Sequence, residues 1–414
     1  SRMLAAQRDL NQLLRASAKS AAEVMNVRAA SIRLLSEDGQ ELLPMADYNL
    51  SSEYMDKGPI LVENSDLAQR SLRGEVVYVE DMTEDDRIVY NFDAKKEGLV
   101  SLLGTGMICK GRPIGTIRFY TDTRRTFSAE EIELLRGVAQ LLAAAIENAQ
   151  LEESRKDNIR IQRQLRLAGD VQRRMLPAAM PHLPPFDISA RYEPSFDVGG
   201  DFFDFIDLDG NLGVAVGDVV GKGVAASLLM ASTRSALRAY ADDIYDLDEI
   251  LARVNVSMTR DTLDNEFATV FYGVLDPEVG RMTYCNAGHD PPLLLRDNEI
   301  IRLESGGTVI GIDANSHYEK GVLDFEPDDL LLIYTDGLPD AMNFDGHRYG
   351  RDRIVQSLRE AAQFGAHHAA GHVLWQMKRF VGLQQQTDDC TFVVIRVGDL
   401  PDRTEIVDVG GEAI

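Results

Sequence analysis

The sequence is short of the features that would place it outside the cell, in a membrane or on nucleic acid. Of its 414 residues only Cys109, Cys285 and Cys390 are cysteines, too far apart for a disulfide framework or a metal-type pair. No apolar run approaches the roughly 18 residues that a bilayer span needs, and the N-terminal stretch has no signal-peptide pattern. Positive charge is short as well: 43 Lys and Arg against 67 Asp and Glu leave a net charge of −24. That balance argues against a nucleic-acid backbone as the main partner and suits a protein that binds cations. These absences predict a cytoplasmic protein with no membrane partner. The length suffices for about two or three domains, each burying its own core.

What is present is organised around Val198 to Gly223, VGGDFFDFIDLDGNLGVAVGDVVGKG. Two strand-forming runs, Phe202 to Asp207 and Leu212 to Gly217, flank Asp209-Gly210, the signal of a two-residue type I′ hairpin. Counting outward from that turn sets Leu208 opposite Asn211 and Asp201 opposite Asp218. Opposed residues have Cβ atoms about 4.5–5.5 Å apart, where like charges repel, and a bound cation is the simplest reason to tolerate them. Alternation puts Phe203, Phe205, Val214 and Val216 on the same face as both aspartates, so the carboxylates are expected at the end of an apolar core. Hard carboxylate oxygens select magnesium, manganese or calcium over zinc. The competing explanation is a surface hairpin with solvated acids.

Along the chain, residues 1–26 carry helical periodicity and open in mid-pattern, as a piece of something longer would. Strand-like Ala29–Leu35 and Glu41–Met45 follow, then a short helix near Leu67–Leu72, Glu75–Glu80, and the pair Ser101–Lys110 and Pro113–Thr121. This order, closed by a long helix, resembles a GAF sensor domain over residues 1–150. The acidic signature of cyclic-nucleotide-binding members is not matched by Asn91-Phe92-Asp93. A small-molecule or protein signal at this domain and a purely dimerising scaffold both stay open. Ser128-Ala-Glu-Glu131 reads as a capping box, and one helix is predicted from Ser128 to about Leu176, ended by Pro177. Val138, Leu142, Ala145 and Ala149 step by three and four. They predict a parallel homodimeric coil, against the plainer alternative of a solvated linker helix at 151–176.

Beyond Pro177, many antiparallel strands with two helix pairs predict an α/β/β/α sandwich, making the whole chain α+β. The expected domains are 1–150, a helical linker 151–176, a catalytic domain 177–398 and a flexible tail 399–414. Gly199-Gly200-Asp201-Phe202, Gly217-Asp218-Val-Val-Gly221-Lys-Gly223, Asn286-Ala-Gly-His289, Tyr334-Thr-Asp336-Gly337 and Asp388-Asp389-Cys-Thr391, in that order, resemble the metal-dependent PPM (protein phosphatase 2C) serine/threonine phosphatases. The likeness is greatest to the bacterial sporulation and stress-response branch, and it includes the lead-in Ala168-Gly-Asp-Val171-Gln-Arg-Arg-Met-Leu176-Pro177.

The resemblance implies two divalent cations, Mn²⁺ or Mg²⁺. Asp218 and the carbonyl of Val219 would be ligands, with Asp218 bridging, Asp201 on one metal, and Asp336 with Asp388 on the other. Asp389 is the alternative to Asp388. The metals would activate water for in-line attack on phosphorus without a phosphoenzyme. The implied substrate is a phosphoserine or phosphothreonine on a regulatory protein of the STAS anti-anti-sigma type. A catalytically silent scaffold of the same fold is the alternative function. Gly221-Lys222-Gly223 at a helix start is a candidate phosphate contact or simply a tight turn. Cys390 to Arg396 has the spacing of cysteine phosphatases, but a buried-strand sequence fills the gap. Asp207-Leu-Asp209 echoes aspartyl-nucleophile phosphatases, yet a hairpin explains it. His289 is expected to be structural.

Overall fold

The computed structural model describes residues 2–263 and 265–400, with side chains from Leu10 onward. The chain divides into two compact units, Ser1–Arg160 and Ile161–Ile414. Most of the expected tail, 399–414, lies outside the described residues.

The first unit holds α1 (Arg2–Val24), β1 (Ala29–Leu35), β2 (Glu41–Tyr48), α2 (Ser52–Met55), β3 (Ile60–Leu61), α3 (Asp66–Leu72), β4 (Val77–Val79), α4 (Asn91–Glu97), β5 (Ser101–Cys109), β6 (Arg112–Thr121) and the first part of α5 (Ala129–Met175). Its strands form one antiparallel sheet in the order β3-β2-β1-β6-β5-β4. One face, with Ala30, Ile32, Leu103, Ile117 and Phe119, packs against Leu14, Ala18 and Ala22 of α1 and against α5. The opposite face carries Ser31, Arg33, Thr116, Arg118 and Tyr120, and all of them are buried. Tyr54, Leu67, Ala94 and Leu99 pack on that side with Tyr120.

Helix α5 opens on the expected capping box: Ser128 N donates to Glu131 Oε2 at 2.7 Å, and Glu131 N donates to Ser128 Oγ at 3.3 Å. The seam read from Val138, Leu142, Ala145 and Ala149 needs correction. Leu135, Ala139, Leu142, Ala143 and Ile146 form the stripe that covers the unit's own sheet, so Leu142 is consumed inside the unit and Val138 packs beside it. Beside this stripe α5 leaves Leu134 and Leu141 exposed, at 39% and 75%, and Leu151 and Ile159 are exposed farther along it.

In the second unit, α5 is followed by β7 (Phe186–Glu193), β8 (Phe202–Leu208), β9 (Asn211–Val219), α6 (Val224–Asp243), α7 (Leu247–Asp261), β10 (Ala268–Asp276), β11 (Arg281–Ala287), β12 (Leu293–Arg296), β13 (Glu299–Arg302), β14 (Gly306–Gly307), β15 (Gly321–Asp324), β16 (Leu330–Tyr334), α8 (Gly350–Ala361), α9 (Ala366–Val381) and β17 (Cys390–Val397). One sheet runs β14-β11-β10-β9-β8 with β15 also on β11, and the other runs β13-β12-β16-β17-β7. Helices α6 and α7 pack on the first sheet, α8 and α9 on the second, and β17 lies against β8 and β9. This is the expected α/β/β/α sandwich. Strand β7 escaped the sequence reading, although Phe186, Ile188, Ala190 and Tyr192 alternate with polar residues along it.

The β8–β9 hairpin has the counted register, Leu208 opposite Asn211 through Phe202 opposite Gly217. Asp209 and Gly210 both have positive φ, 49° and 97°, as a type I′ turn requires. Phe203 and Val216 lie opposite one another on the inter-sheet face. On the other face Asp204, fully buried, accepts from Arg238 Nη1 at 2.7 Å and from Arg234 Nη2 at 3.2 Å, tying α6 to β8. Asp204→Ala would leave Arg234 buried without its counter-charge. We expect a loss of about 3–5 kcal/mol in urea unfolding, with no change in metal affinity.

Candidate metal centre

The sandwich brings the ends of four strands together. Residues just before β8 and at the end of β9 meet residues just after β16 and just before β17, so Asp201, Asp218, Asp336 and the Asp388-Asp389 pair gather from two sheets. Gly200 O accepts from Val219 N at 3.3 Å, continuing the hairpin register past Phe202. Asp201 and Asp218 therefore face each other across the pair. Asp201 is 1% exposed and accepts from Thr335 Oγ1 at 2.7 Å. The same hydroxyl accepts from Thr391 N at 3.0 Å, clamping β16 to β17 behind the acids.

Electrostatics follow from this crowding. Burial, and then the charges of Asp218 and Asp389, hold the Asp201 carboxyl well above the usual carboxylate range. Burial, and then Asp336, push Asp218 up to about 7, and burial with Asp388 pushes Asp336 up to about 6. Each group resists ionisation because its neighbours are acids and water is excluded.

Close backbone approach explains the glycines. A Cβ on Gly200 would stand 2.6 Å from Val219 O and 3.6 Å from Asp218 Oδ1, so these two oxygens share the space over Gly200. A Cβ on Gly337 would stand 1.7 Å from Asp389 O, which is why the turn carrying Asp336 needs glycine next.

The acidic pair divides in two. Asp389 is saturated: Oδ1 accepts from Ser195 N and Oγ at 2.7 and 2.9 Å, and Oδ2 accepts from Gly200 N at 2.8 Å. Asp388 is 43% exposed and ion-paired with Lys222 Nζ at 3.0 Å. Lys222, a candidate phosphate contact, thus lies in the acid cluster itself, its ammonium also on the Thr387 carbonyl. Gly221 and Gly223 have φ of 103° and 75° and make the turn into α6. Among the described residues no three acid, imidazole or thiol groups stand close enough as they are to enclose an ion. Asp389 is turned to its backbone donors and Asp388 to Lys222.

The donor set nevertheless suits a hard divalent cation. It consists of oxygens alone, includes a buried carboxylate pair, and relieves its own repulsion when a cation enters.

Other motifs resolve differently. Cys390 opens buried strand β17 and burial raises its thiol pKa, so no nucleophilic cysteine loop exists there. Asp207 and Asp209 belong to the hairpin and its turn. His289 is buried and shares a hydrogen bond through Nδ1 with Thr269 Oγ1, 2.8 Å away, and Thr269 is the cross-strand partner of Asp218 on β10. Its backbone is pinned to Asn286, and burial pushes the imidazole down to about 4. The sequence reading missed Gln172, which is 6% exposed in the last turns of α5. Its Nε2 donates to Gly199 O at 2.6 Å and its Oε1 accepts from Gly199 N at 3.0 Å. The available signal was a polar residue inside the lead-in Val171-Gln172-Arg-Arg-Met-Leu176.

A two-sheet sandwich with acids at converging strand ends, preceded in sequence by a sheet domain with flanking helices, has the layout of a PPM-type phosphatase domain and a GAF domain. Residues 208–398 match the family model described as stage II sporulation protein E (SpoIIE), and residues 7–147 match that of a GAF domain. Protein IcfG of Synechocystis sp. is 33% identical over 232 residues, covering 49% of this chain and 36% of IcfG. The phosphoserine phosphatase RsbU of Bacillus subtilis is 24% identical over 238 residues, covering 57% of this chain and 70% of RsbU. The chain thus spans about a third of the length of IcfG and a larger share of RsbU. The solved SiaA-PP2C domain of Pseudomonas aeruginosa shares the fold at TM-score 0.52 and 21% identity, covering 58% of this chain and 98% of that domain.

Adding Mn²⁺ should raise the melting temperature of the metal-free protein by about 5 °C at a hundredfold excess over Kd. In Asp218→Asn, where one buried like charge is gone, we expect a higher metal-free melting temperature than wild type and no Mn²⁺ shift. Differential scanning calorimetry with and without chelator reads both.

Proposed function

We propose that the chain is a sensor-regulated, metal-dependent protein serine/threonine phosphatase. The observation that carries this is the gathering of Asp201, Asp218, Asp336 and Asp388 at the ends of strands from two sheets. The raised pKa values of the first three mark a site short of positive charge. Asp218 would serve both of two cations, Mn²⁺ or Mg²⁺, with Val219 O as a further ligand, Asp201 on one cation, and Asp336 and Asp388 on the other. Such cations supply a lowered pKa for water and a polarised phosphoryl group. The protein's own part is to hold the acids in register through the hairpin, to exclude water behind Asp201 through Thr335, and to fix the Gly199–Asp201 loop through Asp389 and Gln172. Lys222, ion-paired with Asp388, would give up that partner to meet the phosphoryl oxygens.

The substrate we propose is a phosphoserine or phosphothreonine on a STAS-type regulatory protein, in keeping with the name of the RsbU relative. A cytoplasmic setting accords with three free cysteines and with the absence, among the described residues, of a helix long and apolar enough to cross a membrane. The domains we propose are the sensor at 1–150, the linker at 151–176 and the phosphatase at 177–398. The ion pair between Lys222 and Asp388 is also what a silent scaffold would keep, so turnover must decide between the two. With p-nitrophenyl phosphate we expect Mn²⁺-dependent hydrolysis that chelator stops and Asp218→Asn abolishes. No metal-dependent turnover would favour the scaffold.

Regulation is proposed to run through α5. Leu134 and Leu141, with Leu13 and Val24 of α1 also exposed, offer an apolar face for a parallel homodimer. At the other end of the helix, movement of Gln172 would carry Gly199 and with it Asp201. Gln172→Ala is expected to raise the Mn²⁺ concentration for half-maximal activity by about tenfold, the lower range for losing an outer-shell partner. Inserting glycine near Asn158 should alter the rate. A monomer at micromolar concentration, or unchanged basal and stimulated rates after the insertion, would remove this coupling.

A further inference from the structure

The buried sheet face of the first unit is cationic, and its cations lack partners. Ser31 and Arg33 on β1 stand opposite Arg118 and Thr116 on β6. Arg33 is 1% exposed and Arg118 is 7% exposed. Lys57, between α2 and β3, is half-buried, its Nζ 2.9 Å from the centroid of the Tyr54 ring and 5.7 Å from that of Tyr90. Among the described residues none of these cations forms an ion pair; of the acids near Lys57, Glu97 is engaged by Ser51, and Asp93 acts on it only through space.

The hydrogen-bond donors are equally unsatisfied. Arg118 Nε and Nη2 are buried without a partner, as are Thr116 Oγ1 on the same strand and Ser71 Oγ on α3. Arg33 reaches only the Leu42 carbonyl, at 3.3 Å. Burial, then the charges of Arg33 and Arg118, push the Lys57 ammonium down to about 6. A fold shaped for stability alone would replace such a cluster with apolar side chains, because buried charges without counter-charges are among its costliest features. Residues kept against stability mark sites of function.

Beside this cluster lies a cavity of about 20 Å³ lined by Tyr54, Lys57, Ser65, Arg87, Tyr90 and Arg118. Its size admits a compact group rather than a nucleotide or an aromatic ring. We propose that this pocket is the sensor's ligand site and that it takes a compact oxyanion, a phosphate or a short carboxylate, held by Arg118 and Lys57 with Arg33 behind them. Planar guanidinium forks suit either oxyanion. The anion would supply the acceptors that Arg118 lacks, offset the charges of Arg33 and Arg118, and favour the charged form of Lys57. The site is independent of the metal centre, so its failure would leave the phosphatase reading standing.

The test uses the full chain, freed of metal with chelator, in isothermal titration calorimetry with sodium phosphate and, separately, sodium malonate. Wild type should bind at least one of them at one site per chain, and the anion that binds identifies its chemistry. Asp218→Asn, altered in the other unit, should bind equally well. Lys57→Met and Arg118→Met should each weaken binding at least tenfold, while melting in anion-free buffer no lower than wild type because each replaces a polar group that lacks a counter-charge with an apolar one. If Arg118→Met fails to fold, Lys57→Met, at a half-buried position, carries the comparison. No heat with either anion, or undiminished binding by Lys57→Met, would overturn the proposal.

Discussion

Two carboxylates face one another across an antiparallel pair at the end of a closed apolar core, and much else in the second unit answers to that repulsion. Asp201 has almost no contact with water and Asp218 follows it across the register, so the strand ends hold negative charge where solvent cannot screen it. The neighbouring chain supplies donors instead. Thr335 gives its hydroxyl to Asp201, Asp389 takes three donors from the Ser195–Gly200 loop, and Lys222 leans on Asp388. What distinguishes Asp388 from Asp389 is therefore saturation: one carboxylate is fully used in holding the loop, and the other retains an exchangeable partner.

The hairpin was legible because its determinants are local. An Asp-Gly pair fixes a turn, a turn fixes register, and register sets Asp201 opposite Asp218. The long helix was legible for the same reason, from a capping box at one end and proline at the other. Strand β7 carried a clean alternation, but prolines on its N-terminal side drew the eye to a loop. It is also an edge strand whose pairing with β17 is distant in sequence.

The heptad-like step in α5 failed for a different reason. A helix covering its own sheet and a helix covering a partner both show apolar residues every three or four positions. Only the sheet's location decided that Leu135, Ala139 and Leu142 turn inward while Leu134 and Leu141 do not. Similarly, no sequence pattern separates a threonine that caps an acid from one that fills a strand, so Thr335 had no visible role. Arg33 and Arg118 sit at positions where alternation alone would give a solvent face. Their burial depends on a covering layer of short helices and loops with weak periodicity.

Gln172 joins the end of α5 to the loop that carries Asp201 through two hydrogen bonds of an uncharged amide. In a chain of net charge −24 most long-range electrostatic links change with ionic strength. An amide clasp has no charge to screen and no proton to lose in the physiological range. The join between helix and loop is thus one of shape, held equally well in dilute and concentrated salt, and deaf to the acidity changes that rescale the carboxylate of Asp201 two residues away.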